Sequence, residues 1–279
     1  MSRATSIDLT AGTIQYRDLG PADGAPIVFV HGFLVDGTVW SDVPDRLAAS
    51  GRRCLVPTWP LGSHSPAMHP YAELSPRRVA RLVREFLDAL GLREVTLVGN
   101  DSGGAICQLV IEADPSGIDR LVLTDCDAFE VFPPFPFNLL FRLARHPRLT
   151  RALFQVVRIG AIRTGPLGFG ALVDRRLSAA ETLSWVTPYL TDAGVRRDVA
   201  DFARAWSRAD LVEVSPSLGS FPGDSLVVWA RKDRFFTVAL GRRLARVLDA
   251  RLVELDDART YLALDQPERL AAEILADAG

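Results

Sequence analysis

The stretch Gly99-Asn100-Asp101-Ser102-Gly103-Gly104 holds the residues best suited to chemistry. A short apolar run of β type, Val95 to Val98, precedes it. Ala105 to Ile111 follows, with apolar residues at helical spacing. A strand that turns sharply into a helix needs small residues beside the turning one, because the backbone there is strained and crowded. Gly99 and Gly103 flank position 101 in the small-x-nucleophile-x-small pattern, so a carboxylate stands at the tip. Such a carboxylate can attack a carbon electrophile and form an ester with the enzyme. In an apolar pocket its raised pKa would also suit proton transfer. A frame with Ser102 at the tip fits less well, because Asn100 then takes a small-residue position. The plain alternative is a glycine-rich loop without chemistry.

A second loop, His31-Gly32-Phe33, follows the buried-type run Ile27 to Val30. The backbone N–H groups of Phe33 and of Ser102, at a helix N-terminus, would be placed to stabilise negative charge as an oxyanion hole. The imidazole of His31 is read mainly as a local hydrogen bonder. With Trp185 and Tyr189 it is carried as a candidate substrate contact.

The elements around these residues alternate. Segments 6–9 and 13–17 read as a hairpin, and 27–30, 53–56, 95–98 and 118–124 as strands. Ser41 is expected to cap a helix to about Ser50, and Ser75-Pro76 to open one to Leu90 that Gly91 ends. The rhythm breaks after Asp125. Residues 127–217 show helical stretches (137–145, 148–159, 178–190, 193–209) entered through Pro133, Pro134 and Pro136 and left at Ser215-Pro216. Alternation then resumes with strands 225–229 and 251–254 and helices 237–248 and 266–276. This predicts βαβ units around a parallel sheet, with a core of residues 1–126 and 218–279 and a helical insertion over 127–217.

Composition excludes several classes. The 279 residues carry a net charge of −2, which argues against nucleic acid and anionic membrane surfaces as partners. The N-terminal residues lack the apolar core of a signal peptide, and no apolar run is long enough to span a bilayer. Three cysteines, Cys54, Cys107 and Cys126, lie in or beside apolar runs and read as buried, reduced thiols of a cytoplasmic protein. The four histidines form no metal-ligand spacing, so no metal is expected. No GxGxxG follows a strand, so no nicotinamide or flavin cofactor is expected either. The partner is a small, largely apolar molecule, and the chain a monomer or homodimer.

Taken together, HGF at 31–33, GNDSGG at 99–104, the helical insertion and WARKD at 229–233 resemble the α/β-hydrolase superfamily along nearly the whole chain. The Asp tip followed by two glycines is similar to the haloalkane dehalogenase and epoxide hydrolase branch. The resemblance implies an eight-stranded, mostly parallel sheet flanked by helices, with residues 127–217 as a cap. It implies Asp101 as nucleophile and Asp233 as the acid of a triad, with Asp125 at the alternative acid position. Two departures stand out. The branch carries Trp after the nucleophile in dehalogenases, where this chain has Ser102. Epoxide hydrolases use cap tyrosines, and Tyr189 is the only Tyr in the insertion.

A larger departure lies after the last strand, where the family places a histidine base. Asp257-Ala258-Arg259-Thr260-Tyr261 has Thr260 there, with Asp265-Gln266-Pro267-Glu268 setting the register. A hydroxyl cannot activate water near neutral pH. Three readings follow: a hydrolase with another base, such as His64, His69, Asp233 or Asp125; a lyase, isomerase or cyclase using Asp101 as acid or base; or a ligand-binding member without turnover.

Overall fold

The computed structural model describes residues 4–276. Its eight strands form one sheet: β1 (Ala4–Leu9), β2 (Gly12–Leu19), β3 (Pro26–Val30), β4 (Arg53–Pro57), β5 (Val95–Asp101), β6 (Ile118–Cys126), β7 (Asp224–Ala230) and β8 (Arg251–Leu255). The spatial order is β1-β2-β4-β3-β5-β6-β7-β8. The hairpin β1–β2 joins β4 antiparallel, and every pair from β4 to β8 is parallel. Central strands such as β3 and β5 are apolar on both faces because helices cover both.

The helices are α1 (Val43–Ala49), α2 (Pro76–Ala89), α3 (Ser102–Ala113), α4 (Phe137–Ala144), α5 (Pro147–Leu153), α6 (Gly160–Arg163), α7 (Leu183–Thr191), α8 (Ala193–Ala205), α9 (Arg208–Ser217), α10 (Val238–Val247), α11 (Leu262–Asp265) and α12 (Pro267–Leu275). Helix α2 starts where the sequence placed it. The Ser75 side chain accepts from the Arg78 N–H and Pro76 takes the first helical position, where its missing N–H costs nothing. Between β6 and β7 the described residues form helices joined by loops, with no strand beyond one isolated bridge, Ala128 to Val131.

Three local expectations change. Ser41 caps no helix. It ends a 3₁₀ turn over Gly37–Trp40, which the Asp36 side chain caps, and its φ of 52° lies in the left-handed region. The stretch 193–209 is two helices, because the backbone extends at Trp206 and Ser207 caps α9. Pro216 lies inside α9 and not beyond it. All three cysteines are buried and free, and burial pushes their thiols upward in pKa. Among the described residues no helix is long and apolar enough to cross a membrane.

Candidate active site

Asp101 closes β5 and α3 begins at the next residue. Its φ of 55° and ψ of −133° put a non-glycine residue in a strained conformation at the tip of the turn. The glycines around it are there for space. A Cβ on Gly103 would lie 2.0 Å from the Val30 carbonyl oxygen, and one on Gly104 would lie 2.3 Å from the Cys126 Cβ. A Cβ on Gly32 would lie 2.1 Å from Asp101 Oδ2, so the 31–33 loop passes directly against the carboxylate. Gly32→Ala is expected to force that carboxylate out of position and cost at least ~100-fold in turnover with the fold retained. Steady-state rates beside a circular dichroism spectrum check this.

The N–H groups of Phe33 and Ser102 donate to the Asp101 carboxylate. Asp101 is only part-buried, and the surface it shows faces a cavity. Burial raises its pKa to about 7; the two N–H donors lower it and the charge of Asp233 raises it further. The cavity holds about 350 Å³, at the small end of ligand pockets. Its core side is Phe33, Leu34, Asp101, Ser102, Thr260 and Tyr261, and apolar side chains of the insertion such as Phe141 and Phe154 close it.

Asn100 supplies what a small residue could not. Its Nδ2 donates to the carbonyls of Thr124 and Asp125 (both 3.2 Å) and of Thr260 (2.8 Å). One amide thus ties the ends of β5 and β6 to the 257–262 loop and fixes where Thr260 stands. The Thr260 hydroxyl is buried, on the cavity wall, and faces the Asp233 carboxyl, whose pKa it lowers. Thr260→Val keeps the shape and removes a single contact to Asp233, so it is expected to change stability by no more than ~1 kcal/mol. Activity within about twofold of the parent would show that the hydroxyl takes no proton in the reaction. A larger loss would assign it one.

The two candidate acids lie together behind the cavity wall, not on it. Asp125 is buried, and both its oxygens accept from the Ala230 N–H, at 3.0 and 3.2 Å, which bridges β6 to β7. Asp233 Oδ1 accepts from Phe235 and Phe236 N–H at 2.7 and 3.1 Å. The two carboxyls face each other, and burial raises both pKa values, most strongly that of Asp125. A fourth acid, Asp127, is completely buried beside Asp101 and Ser102. Burial and the charge of Asp101 push its pKa well above the usual carboxylate range, while the Ser102 side chain lowers it.

The histidines go elsewhere. His31 Nε2 accepts from the Trp59 N–H (2.8 Å), so Nδ1 carries the proton and donates to the Gly32 carbonyl (2.9 Å). Burial lowers its pKa to about 4, and it braces the loop without lining the cavity. His64 is locked 3.0 Å from Asp198 of α8, away from the cavity wall, and His69 stacks on Tyr71. Among the described residues, therefore, no imidazole or amine lines the cavity. The expected contacts Trp185 and Tyr189 also lie off its wall. Trp185 donates to Thr38 Oγ1 at 2.8 Å, and Tyr189 packs on Phe154 inside the insertion. Tyr261 and Arg163, which sequence reasoning passed over, do line it. Tyr261 sits directly after Thr260, a signal the sequence did contain. Arg163 is buried, and its Nε and Nη groups donate to Thr182 Oγ1 and to the carbonyls of Val157 and Ala179.

A β-sheet of this order, a strained turn between strand and helix, and two N–H donors at its tip define the class. Residues 25–267 match the family model for the alpha/beta hydrolase fold, and the chain belongs to that family of enzymes. It is 28% identical to a cis-3-alkyl-4-alkyloxetan-2-one decarboxylase of Xanthomonas campestris over 97% of this chain and 94% of the relative. It is also 28% identical to haloalkane dehalogenase 2 of Mycobacterium bovis over 96% and 92%. Among solved structures it resembles an alpha/beta hydrolase fold protein from Burkholderia ambifaria (TM-score 0.80, 20% identity, 99% of both chains). It also resembles a haloalkane dehalogenase from Bradyrhizobium elkani (TM-score 0.79, 18% identity, 98% and 96%).

Proposed function

We propose that this protein attacks a small, largely apolar carbon electrophile with the Asp101 carboxylate, under a cap formed by residues 127–217, in a reaction that ends without activated water. One observation carries the reading: a carboxylate held by two N–H donors opens on a cavity whose family base position is Thr260. An alkyl–Asp101 ester formed there has no neighbour able to deprotonate water, so hydrolysis would stall.

A substrate that can leave by itself removes the difficulty, and a strained cyclic ester of the oxetan-2-one kind, the class named for the Xanthomonas relative, is such a substrate. Asp101 Oδ attacks ring carbon 4, and the bond from carbon 4 to the ring oxygen breaks, giving a free carboxylate. The bond from carbon 3 to that carboxylate then breaks. Its electron pair forms the alkene, carbon dioxide leaves, and the bond to Asp101 breaks, returning the carboxylate to the Phe33 and Ser102 N–H groups. No water and no proton are consumed. Phe33 and Ser102 thus act as the oxyanion hole for the departing Asp101, and the paired Asp125 and Asp233 brace β6 against β7. Attack needs ionised Asp101. The rate constant kcat/KM is therefore expected to rise with pH through about 7 and level off above it; a profile flat from pH 5 to pH 9, a span about two units either side of that value, would remove Asp101 as nucleophile.

The second reading is complete hydrolysis, favoured by the likeness to haloalkane dehalogenases. Intact-protein mass spectrometry separates the two, with a short dialkyl oxetan-2-one, a terminal epoxide and a bromoalkane as probes and Asp101→Asn as control. The expected result is catalytic loss of the lactone to alkene and carbon dioxide without an adduct. The bromoalkane should release a single equivalent of bromide and leave an alkyl group on Asp101. Repeated bromide release with no adduct would establish the hydrolase instead. Labelling that persists in the Asn variant would dismiss Asp101 altogether.

A further inference from the structure

The net charge of −2 conceals a strongly uneven distribution. Between Glu130 and Asp174 the chain has no Asp or Glu, yet it has six arginines, at 142, 145, 148, 151, 158 and 163. The rest of the chain consequently carries eight more acids than bases. Arg163 is buried and Arg145 donates to the Ala203 carbonyl. The side chains of Arg142, Arg148, Arg151 and Arg158 are exposed and make no ion pair or hydrogen bond among the described residues. Elsewhere some exposed arginines are paired, such as Arg204, Arg231 and Arg242, and others, such as Arg81, Arg208 and Arg246, have no side-chain partner among the described residues, but there acidic residues are interspersed.

The same segment carries most of the exposed large apolar side chains. Phe135 (79% exposed), Leu139, Leu149, Val156, Ile159 and Leu167 (94%) are six of the nine in the described residues. Two of them, Val156 and Leu167, also line the cavity, so its mouth opens within this face. The exposed apolar groups fit poorly with water, and the unpaired guanidinium groups among them, though hydrated, are free to bind anions. An anionic lipid surface suits both, with the rings and branched chains entering the interfacial zone and the guanidinium groups among the head-group phosphates.

We propose that the 131–173 face docks reversibly on an anionic lipid surface, with the cavity mouth turned towards the bilayer. The acidic remainder of the molecule is repelled by the same surface, so electrostatics alone selects this orientation. An apolar substrate partitions into lipid, and a mouth held there receives it without a passage through water. The sequence expectation of no membrane partner rested on net charge, which averages this face away. Docking does not depend on which reaction Asp101 performs, and its readout is not activity.

The test is flotation of the full chain with vesicles of phosphatidylglycerol and phosphatidylcholine, against vesicles of phosphatidylcholine alone. Binding is expected only to the anionic vesicles and is expected to fall steeply as salt rises. The triple charge reversal Arg148→Glu, Arg151→Glu and Arg158→Glu should lower the partition coefficient by at least ~100-fold. An equal change in net charge outside the segment (Arg52→Glu, Arg81→Glu and Arg246→Glu) should lower it far less. Equal binding to both vesicle types, no binding to either, or the same loss from both triple variants overturns the proposal. So does retention on a soluble polyanion such as heparin without vesicle binding, which would assign the face to an acidic macromolecule. The salt series on the parent protein decides the matter independently of how the variants fold.

Discussion

Asp101→Asn is expected to end turnover and, at pH 8, to make the protein more stable. The parent carboxyl has its pKa raised from 3.8 to about 7, chiefly by burial. A group whose folded pKa is raised favours the folded state most below its unfolded pKa and loses that contribution as pH climbs through the folded value. Above pH 7 the parent therefore carries a cost of at most ~4 kcal/mol, about 3 pKa units at ~1.4 kcal/mol each, reduced as far as water enters the cavity. Asn does not ionise and avoids it. Urea unfolding of both proteins at pH 8 and pH 5 checks this: the Asn variant should be clearly more stable at pH 8, with a smaller margin at pH 5. A constant margin would mean that Asp101 is not the group titrating. A strained, partly desolvated carboxylate that the fold would be more stable without is what an active-site residue looks like energetically.

Gly103→Ala is expected to cost more than ~3 kcal/mol and to yield little folded protein. The new Cβ would lie 2.0 Å from the carbonyl oxygen of Val30 and 2.6 Å from that of His31. Both obstacles are backbone, at the end of β3, which is paired on both sides within the sheet. Nothing flexible can move aside. The first turn of α3 would have to back away from β3, carrying the Ser102 N–H from the Phe33 N–H, so whatever folds should also be at least ~100-fold less active. Gly51→Ala is the contrast. There φ is +85° but no atom lies within 4 Å, so only backbone strain of about 1 kcal/mol applies. Comparable losses at the two sites in chemical denaturation would refute the crowding argument.

These two substitutions act on features of different legibility. The spacing of Gly99, Gly103 and Gly104 around Asp101 was readable because a strand-to-helix turn is a local event, governed by the sizes of adjacent residues. The alternation of strands and helices, and its break after Asp125, were readable for the same reason: periodicity and capping act within a few residues. That is why α2 begins at Pro76 as expected, and why the long stretch to β7 was recognised as helical. Ser41 was misread even so, because Asp36 takes the capping role in a 3₁₀ turn just ahead of it.

What the local pattern could not contain is which side chain meets which across the fold. Asn100 looked like a poor small residue until its amide was found bonded to Thr260, a position 160 residues away. His64 was available as a base until Asp198, 134 residues on, occupied it. Trp185 and Tyr189 are aromatic and buried, as expected of cavity walls, but Tyr189 packs on Phe154 and Trp185 bonds to Thr38, while Tyr261 and Arg163 face the cavity. By itself the sequence determined the class of fold and the residue at the strand-to-helix turn. The partners of the buried polar groups and the walls of the cavity were decided only by tertiary structure, because desolvation makes each buried polar atom depend on whichever neighbour packing brings within hydrogen-bond reach.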